Sequence, residues 1–295
     1  MKQISEQGTL YVVATPIGNR DDITLRALEI LKSVDLVACE DTRHTGQLLA
    51  HYEIKKPLVS YFQHSKLSKI DFIINELKSG KNIALVTDAG TPAISDPGQV
   101  LICKIREMTN ERVVIPAEAG IQASPNIKEW IPASAGMTVS TSWIPDLKLT
   151  VRDDSVGGIQ IVPIPGPSAV TAIASVSGMI EKEFYFAGFL PKKKGRQTCF
   201  KKLSLLDCPI VIYESSNRLE RTLEDIKTYF GADTEVFIGR EMTKMFEEYW
   251  GGGVDGVIQS LGEHQVKGEI VLVVKKISKS HSSLSLRAHP SESKT

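Results

Sequence analysis

The sequence predicts an α/β fold built as two α/β domains. Two observations carry this: strand-like apolar runs alternate with segments of helical periodicity, and glycine- and proline-rich turns stand at the ends of three strand-like runs. A third, a break in that rhythm between Arg112 and Gly157, separates the halves.

In order, LYVVAT (Leu10 to Thr15) reads as a strand, TLRALEILKSV as a helix and DLVAC as a strand, and a helix near Leu48 leads into strand PLVSY. The next helix places Ile70, Ile73, Ile74 and Leu77 on one face and stops at Gly80. Strand IALVTD and a helix over Val100, Leu101 and Ile105 complete an N-terminal domain at residues 1–111. The rhythm resumes with strand IQIVPI (Ile159 to Ile164), the alanine-rich helix SAVTAIASV, strand FYFAGF and a basic helix-loop. Strand PIVIYES, helix NRLERTLEDIKTYFG, strand EVFIG and a last strand EIVLVV (Glu269 to Val274) follow, so 158–276 reads as a C-terminal domain. The tail, 277–295, is rich in Ser, Lys and His without apolar periodicity and is expected to be disordered.

Between the domains, IPAEAG (Ile115 to Gly120) returns as IPASAG (Ile131 to Gly136), WIP occurs at Trp130 and Trp143, and GIQ occurs at Gly120 and Gly158. Helix-to-strand connections usually take about 2 to 6 residues. Removing the 46 residues from Arg112 to Gly157 restores one, so the segment reads as an insertion forming a surface loop; a small lid subdomain is the alternative. Its echoes resemble the translated palindromic repeat elements found in genes of some intracellular bacteria. Lengthening a connection about tenfold costs on the order of 2 kcal/mol, against a stability of roughly 5 to 15. The segment follows a helix and precedes a strand, which puts it at the opposite end of the sheet from the strand-end turns.

Thirty-five cations balance thirty-five anions, so attraction to a polyanion must come from local clustering rather than net charge. Cys39, Cys103, Cys199 and Cys208 form no CxxC pair and the histidines lack zinc-ligand spacing, which argues against a disulfide framework and against a metal site. The start, MKQISEQGTLYVVA, lacks a basic segment followed by an apolar core, and no run approaches the roughly 18 apolar residues of a membrane span. These features predict a soluble, cytoplasmic protein.

The strand-end turns are VTDAGTPAISDPG (Val86 to Gly98), ATPIGN (Ala14 to Asn19) and PIPGPSA (Pro163 to Ala169). In parallel α/β sheets ligands sit at the carboxyl ends of the strands. There, backbone N–H groups and helix N-termini suit the carboxylate of a small ligand, while Pro and Ala flanks suit a flat ring such as adenine. Neither GxGxxG nor GxxxxGK[ST] occurs, so nicotinamide and nucleoside-triphosphate readings lack their phosphate cradle.

Together with GTLYVVATPIGN (Gly8 to Asn19), CEDTRHT (Cys39 to Thr45), YESSNR (Tyr213 to Arg218), GREMTK (Gly239 to Lys244) and KGEIVLVV (Lys267 to Val274), these strings resemble the ribosomal RNA small subunit methyltransferase I family of the tetrapyrrole-methylase superfamily. The resemblance covers about residues 8–110 and 159–275, in order. It implies two α/β domains of the tetrapyrrole-methylase type with the cofactor cleft between them. It also implies a homodimer that uses S-adenosylmethionine to methylate the ribose 2′-hydroxyl of a cytidine in the decoding region of 16S rRNA. By motif, Pro16, Ile17 and Gly18 line the cleft; Asp88, Ala89, Gly90, Thr91 and Ile94 hold the methionine part; Ser168 and Ala169 follow the PGP turn. Tyr213, Glu214, Gly268, Glu269 and Ile270 close the adenosine side.

A base for the hydroxyl proton aids such a transfer. Asp41, Arg43 and His44 of CEDTRHT, with Glu241 and Lys244, are the catalytic candidates; Glu40 reads more readily as structural, and Asp41 reads equally well as a helix cap paired with Arg43. Between Phe184 and Leu206 no acid occurs, whereas Lys192, Lys193, Lys194, Arg196, Lys201 and Lys202 supply six cations beside Phe189 and Phe200. That is an RNA-binding arm, or else a solvated helix face. Two other functions compete: a tetrapyrrole C-methyltransferase, against which TPIGN stands where that branch resembles GxGxGD, and an inactivated RNA-binding relative.

Overall fold

The computed structural model describes residues 7–61, 67–96, 98–109, 158–261 and 266–277. The expected insertion at 112–157 and, apart from Ile277, the expected disordered tail lie outside the described residues.

The first sheet contains β1 (Thr9–Val13), β2 (Leu36–Cys39), β3 (Leu58–Ser60), β4 (Ile83–Leu85) and β5 (Gln160–Ile164), in the order β3-β2-β4-β1-β5 with every neighbouring pair parallel. Parallel sheets bury both faces, which is why β2 is buried at all of its positions and reads as an unbroken apolar run. Along β2 and β4, Leu36, Ala38, Ile83 and Leu85 face helices α3 (Leu67–Lys78) and α4 (Gln99–Thr109). Val37, Cys39, Ala84 and Val86 face α1 (Leu25–Ser33) and α2 (Thr42–His51). Helices start where side chains cap them: the Thr24 hydroxyl accepts from Ala27 N and the Asp41 carboxylate from Arg43 N.

The second sheet contains β6 (Tyr185–Phe189), β7 (Ile210–Ser215), β8 (Thr234–Arg240), β9 (Glu248–Gly253) and β10 (Glu269–Lys276), in the order β6-β7-β10-β8-β9. Only β6 and β7 run parallel; the other pairs are antiparallel. One face packs on α6 (Arg196–Leu203), α7 (Ser216–Phe230) and α8 (Val254–Leu261), with Phe200, Leu219, Leu223 and Val254 fully or nearly fully buried. Against the other face lies α5 (Ala169–Ser177), whose Val170 and Ile173 meet Val211, Val271 and Val273. Ile17 of the first domain joins that same cluster, so the two domains share it.

Two expectations change. Strand IQIVPI, read as the first element of the C-terminal domain, hydrogen-bonds to β1 from Gln160 to Ile164 and so completes the first sheet; the chain changes sheets only at α5. Strand β9 had no signal, because EYWGGG leaves nearly every position exposed and carries no buried alternation, whereas helix α8 was missed although Val254, Val257, Ile258 and Leu261 recur at helical spacing. The ends that flank the expected insertion, the close of α4 and the start of β5, lie at the amino end of the first sheet's strands. Among the described residues no helix is long and apolar enough to cross a membrane.

At Gly239 an added Cβ would lie 2.7 Å from Ile173 Cδ1, which shows how closely α5 is pressed onto the sheet. Ile173→Ala should therefore lower the unfolding free energy by about 3 kcal/mol, seen in urea as a lower midpoint at constant slope.

Candidate functional site

Four strand exits of the first sheet are laced together at its carboxyl end. Beyond β1, Thr15 and Gly90 exchange backbone hydrogen bonds of 2.9 and 3.0 Å, and the Thr15 hydroxyl donates to Thr87 O at 3.0 Å. The Thr91 hydroxyl donates to Pro167 O at 3.2 Å, which ties in the exit of β5. On the other side, Thr87 Oγ1 donates to Glu40 Oε2 at 3.2 Å and Asp41 N to Asp88 Oδ1 at 3.2 Å, which ties in the exit of β2.

These exits and the ends of β6, β7 and β10 enclose a cavity of about 290 Å³. Ile17, Asp88, Ala89, Gly90, Thr91 and Ile94 line it from the first sheet. Ser168, Ala169, Tyr213, Glu214, Gly268, Glu269 and Ile270 line it from α5 and the second sheet. Pro16 and Gly18 lie instead in a second cavity of about 440 Å³, together with His44 and Lys244.

Glu40, Thr87, Ser95, Asp96, Phe189, Ser215 and Val271 also line the first cavity. None was singled out as a cofactor ligand, although Glu40 and Asp96 lie inside the two most specific motifs and motif membership alone could have found them. Burial raises the Asp96 carboxyl to about 6, with the charges of Glu40 and Asp88 adding and a hydrogen bond with Thr87 opposing. Glu40 is raised for the same reasons, burial first and then Asp88. Burial also pushes the Tyr213 hydroxyl up to about 12. Three crowded carboxylates make the cavity receptive to a cation.

The catalytic candidates divide. Asp41 and Arg43 line neither cavity; the Asp41 carboxylate caps α2 and pairs with Arg43 at 2.7 Å, and those hydrogen bonds hold it well below the usual carboxylate range. Their structural role is therefore the one the structure displays. Lys244 binds Glu241 at 3.1 Å and Glu269 at 2.9 Å, while Glu241 Oε1 accepts from Glu269 N at 2.7 Å. Burial pulls the Lys244 ammonium down, but the carboxylates of Glu269 and Glu241 outweigh it and raise it above its ordinary value. Gly268 has a φ of 106°, and a Cβ there would fall 2.5 Å from Glu241 Cγ, so this packing requires glycine.

Arg196 corrects the reading of the basic arm. It is 4% exposed, with Nε donating to Asp225 Oδ2 at 2.7 Å and Nη2 to Thr222 Oγ1 at 2.9 Å, and its guanidinium lies over the buried Phe200 ring. It is a core ion pair, unavailable to a phosphate. Thr222 in turn donates to Glu214 Oε2 at 2.8 Å, and Glu214 also pairs with Arg218, so the Glu214 carboxylate is spent within the domain although the residue borders the cavity. Lys192, Lys193, Lys194, Lys201 and Lys202 are exposed. Among the described residues no group of His, Cys, Asp and Glu could hold a metal ion.

Residues 9–153 and 146–257 match the family of Tetrapyrrole (Corrin/Porphyrin) Methylases, which makes the two-sheet fold with its interdomain cleft that of a tetrapyrrole methylase. The uroporphyrin-III C-methyl transferase from Thermus thermophilus, solved in complex with S-adenyl homocysteine, superposes with a TM-score of 0.54 over 91% of this chain and 97% of that one at 11% identity, a likeness of fold. Two proteins named ribosomal RNA small subunit methyltransferase I are much nearer in sequence. That of Synechocystis is 36% identical over 90% of this chain and 78% of its own, and that of Thermotoga maritima 39% identical over 90% and 98%. The chain belongs to the ribosomal RNA small subunit methyltransferase I family.

Because Asp96 titrates near 6 in the folded protein against an ordinary 3.8, the native state holds more protons than the unfolded chain between those values, and stability falls as pH rises through them. Asp96→Asn should therefore melt at a higher temperature than the parent at pH of about 7.5, with the gap closing toward about pH 4. Equal melting temperatures at the higher pH would contradict a destabilising Asp96 charge.

Proposed function

We propose that this protein methylates the ribose 2′-hydroxyl of a cytidine in the decoding region of 16S rRNA, using S-adenosylmethionine, as a cytoplasmic homodimer. The observation that carries the reading is that the strings resembling the methyltransferase family supply most of the wall of the first cavity.

The residues present fit the cofactor. Glu40, Asp88 and Asp96 offer negative charge to its cationic sulfonium and ammonium groups. Ile94, Phe189, Ile270 and Val271 offer apolar surface to a ring, and Ser168 and Ser215 start helices without using their hydroxyls as caps. Bound there, S-adenosylmethionine supplies a methyl group that leaves its sulfur with the bonding electron pair remaining on sulfur. As the ribose oxygen takes that methyl it releases its proton, for which Glu269, on the wall common to both cavities and held by Lys244, is the carboxylate. Glu241 lines neither cavity and positions Lys244 and the Glu269 backbone. Lys244, kept cationic, and His44 face the second cavity and are assigned to orienting the acceptor. The exposed lysines of 192–194 and 201–202 add phosphate contacts that carry no sequence information.

Titration calorimetry with S-adenosylmethionine, followed by transfer of labelled methyl to small subunits lacking the modification and mapping of the modified nucleotide, tests the reading. Binding with transfer to a cytidine 2′-oxygen supports it; binding without transfer to subunits or to free 16S rRNA sinks it. Cofactor affinity should weaken about tenfold as pH falls from about 7.5 to 5.5, because Asp96 takes up a proton and ceases to face the cationic ligand. Asp96→Asn should start at the weaker affinity and flatten that dependence. Deleting 112–157 should leave cofactor affinity and methyl transfer within about threefold of the parent, since both flanking ends lie away from the strand exits.

A further inference from the structure

The second cavity lies beside the one assigned to the cofactor. It adjoins the first along a common wall of Ile17, Asp88, Ala89 and Glu269, so these four residues border both cavities. Its other walls come from both domains: Pro16, Gly18 and Arg20 after β1, His44, Gln47 and Leu48 on α2, and Lys244 from the second domain. Gly18 is needed for this closure, because a Cβ there would fall 2.4 Å from Lys244 Cγ, and Asn19 N reaches across to Thr243 Oγ1 at 3.0 Å.

At about 440 Å³ the chamber is of a size suited to one small ligand. Its rim is not that of an apolar pocket. Arg20 and His44 are exposed there and carry N–H donors suited to a phosphodiester, Arg20 Nη1 lying 3.4 Å from His51 Nδ1, and the exposed Gln47 amide can both donate and accept, as the edge of a nucleobase does. Pro16 and the half-buried Leu48 supply surface for the face of a base.

We propose that the second cavity is the acceptor subsite for a single flipped-out ribonucleotide, with its phosphodiester on Arg20 and His44, its base edge on Gln47 and its ribose at the common wall. This rests on the methyl-transfer reading above. In-line transfer requires donor and acceptor on adjoining sides of one boundary, and this chamber shares such a boundary with the cofactor cavity. A base inside a helix cannot enter a chamber of this kind, so the substrate presents the nucleotide unstacked.

The test uses the full chain saturated with S-adenosylhomocysteine, and a short fluorescent single-stranded RNA containing cytidine, followed by anisotropy over a range of salt. Arg20→Ala should weaken RNA binding about tenfold and reduce the slope of log affinity against log salt by about one, as loss of one phosphate contact does. Arg20→Lys should keep the slope, which a merely structural role would not predict. Gln47→Ala should weaken binding of a cytidine oligonucleotide more than that of an abasic one. In each variant, calorimetric affinity for S-adenosylhomocysteine should stay within about twofold of the parent, since none of these side chains lines the first cavity. RNA affinity and salt slope unchanged in both Arg20→Ala and Gln47→Ala overturn the subsite. Methyl transfer by the unaltered protein, measured in parallel, separates the two readings. Transfer with unaffected variants overturns the subsite alone, and no transfer overturns the functional reading while the RNA titration still decides the subsite.

Discussion

Thr15 and Gly90 exchange both backbone hydrogen bonds just past the point where β1 and β4 stop pairing at Val12 and Leu85. That reciprocal pair joins the two strand exits into one floor, and the remaining site is attached to it. Gly90 sits at a φ of 85°, a conformation that glycine adopts without strain and that L side chains rarely adopt. Thr87 and Thr91, on either side, carry the connections to Glu40 and to Pro167. The strand order β2-β4-β1-β5 matters because it places all four exits side by side, so short side chains suffice to link them.

Charge in the site is handled in two opposite ways. Glu214, fully buried, is neutralised by Arg218 and a hydroxyl, and Arg196 by Asp225; these pairs stay within the second domain and set the shape of the wall. Glu40, Asp88 and Asp96 line the open cavity with no cationic partner among the described residues, and the cost is visible in the raised Asp96 and Glu40 carboxyls. A ligand bearing positive charge relieves that cost. Stability given up by crowding these carboxylates would be returned as binding energy for such a ligand, the relation expected where function and stability compete.

Much of the fold was legible because a sheet buried on both faces must read as apolar runs, and β2 and β4 do. The sheet to which β5 belongs was not, since its pattern is the same whichever partner it pairs with and β1 lies far away in sequence. For the site, the motif strings pointed to the turns that line the first cavity but not to individual atoms. Asp41 and Arg43 stand in the same short string as Glu40, yet the cap geometry of α2 turns that pair outward while Glu40 lines the cavity. Arg196 looked like its neighbouring lysines because the residues that bury it, Thr222 and Asp225, come from α7.

The joint between the domains explains where the chain tolerates growth. The first sheet hands over to the second through the Pro165 to Pro167 turn and α5, while Ile17 inserts into the core under α5 and Asn19 reaches Thr243. At Gly166 a Cβ would lie 3.0 Å from Ala14 Cβ, so this turn is packed directly against the β1 exit. Extra residues at any of the four exits would separate partners that a single hydrogen bond now joins. Between α4 and β5 the constraint is absent: among the described residues neither flank lines a cavity or bridges the domains, and loop-closure entropy rises only slowly with length. A longer connection between α4 and β5 would therefore leave the hydrogen-bonded floor at the opposite end of the sheet in place.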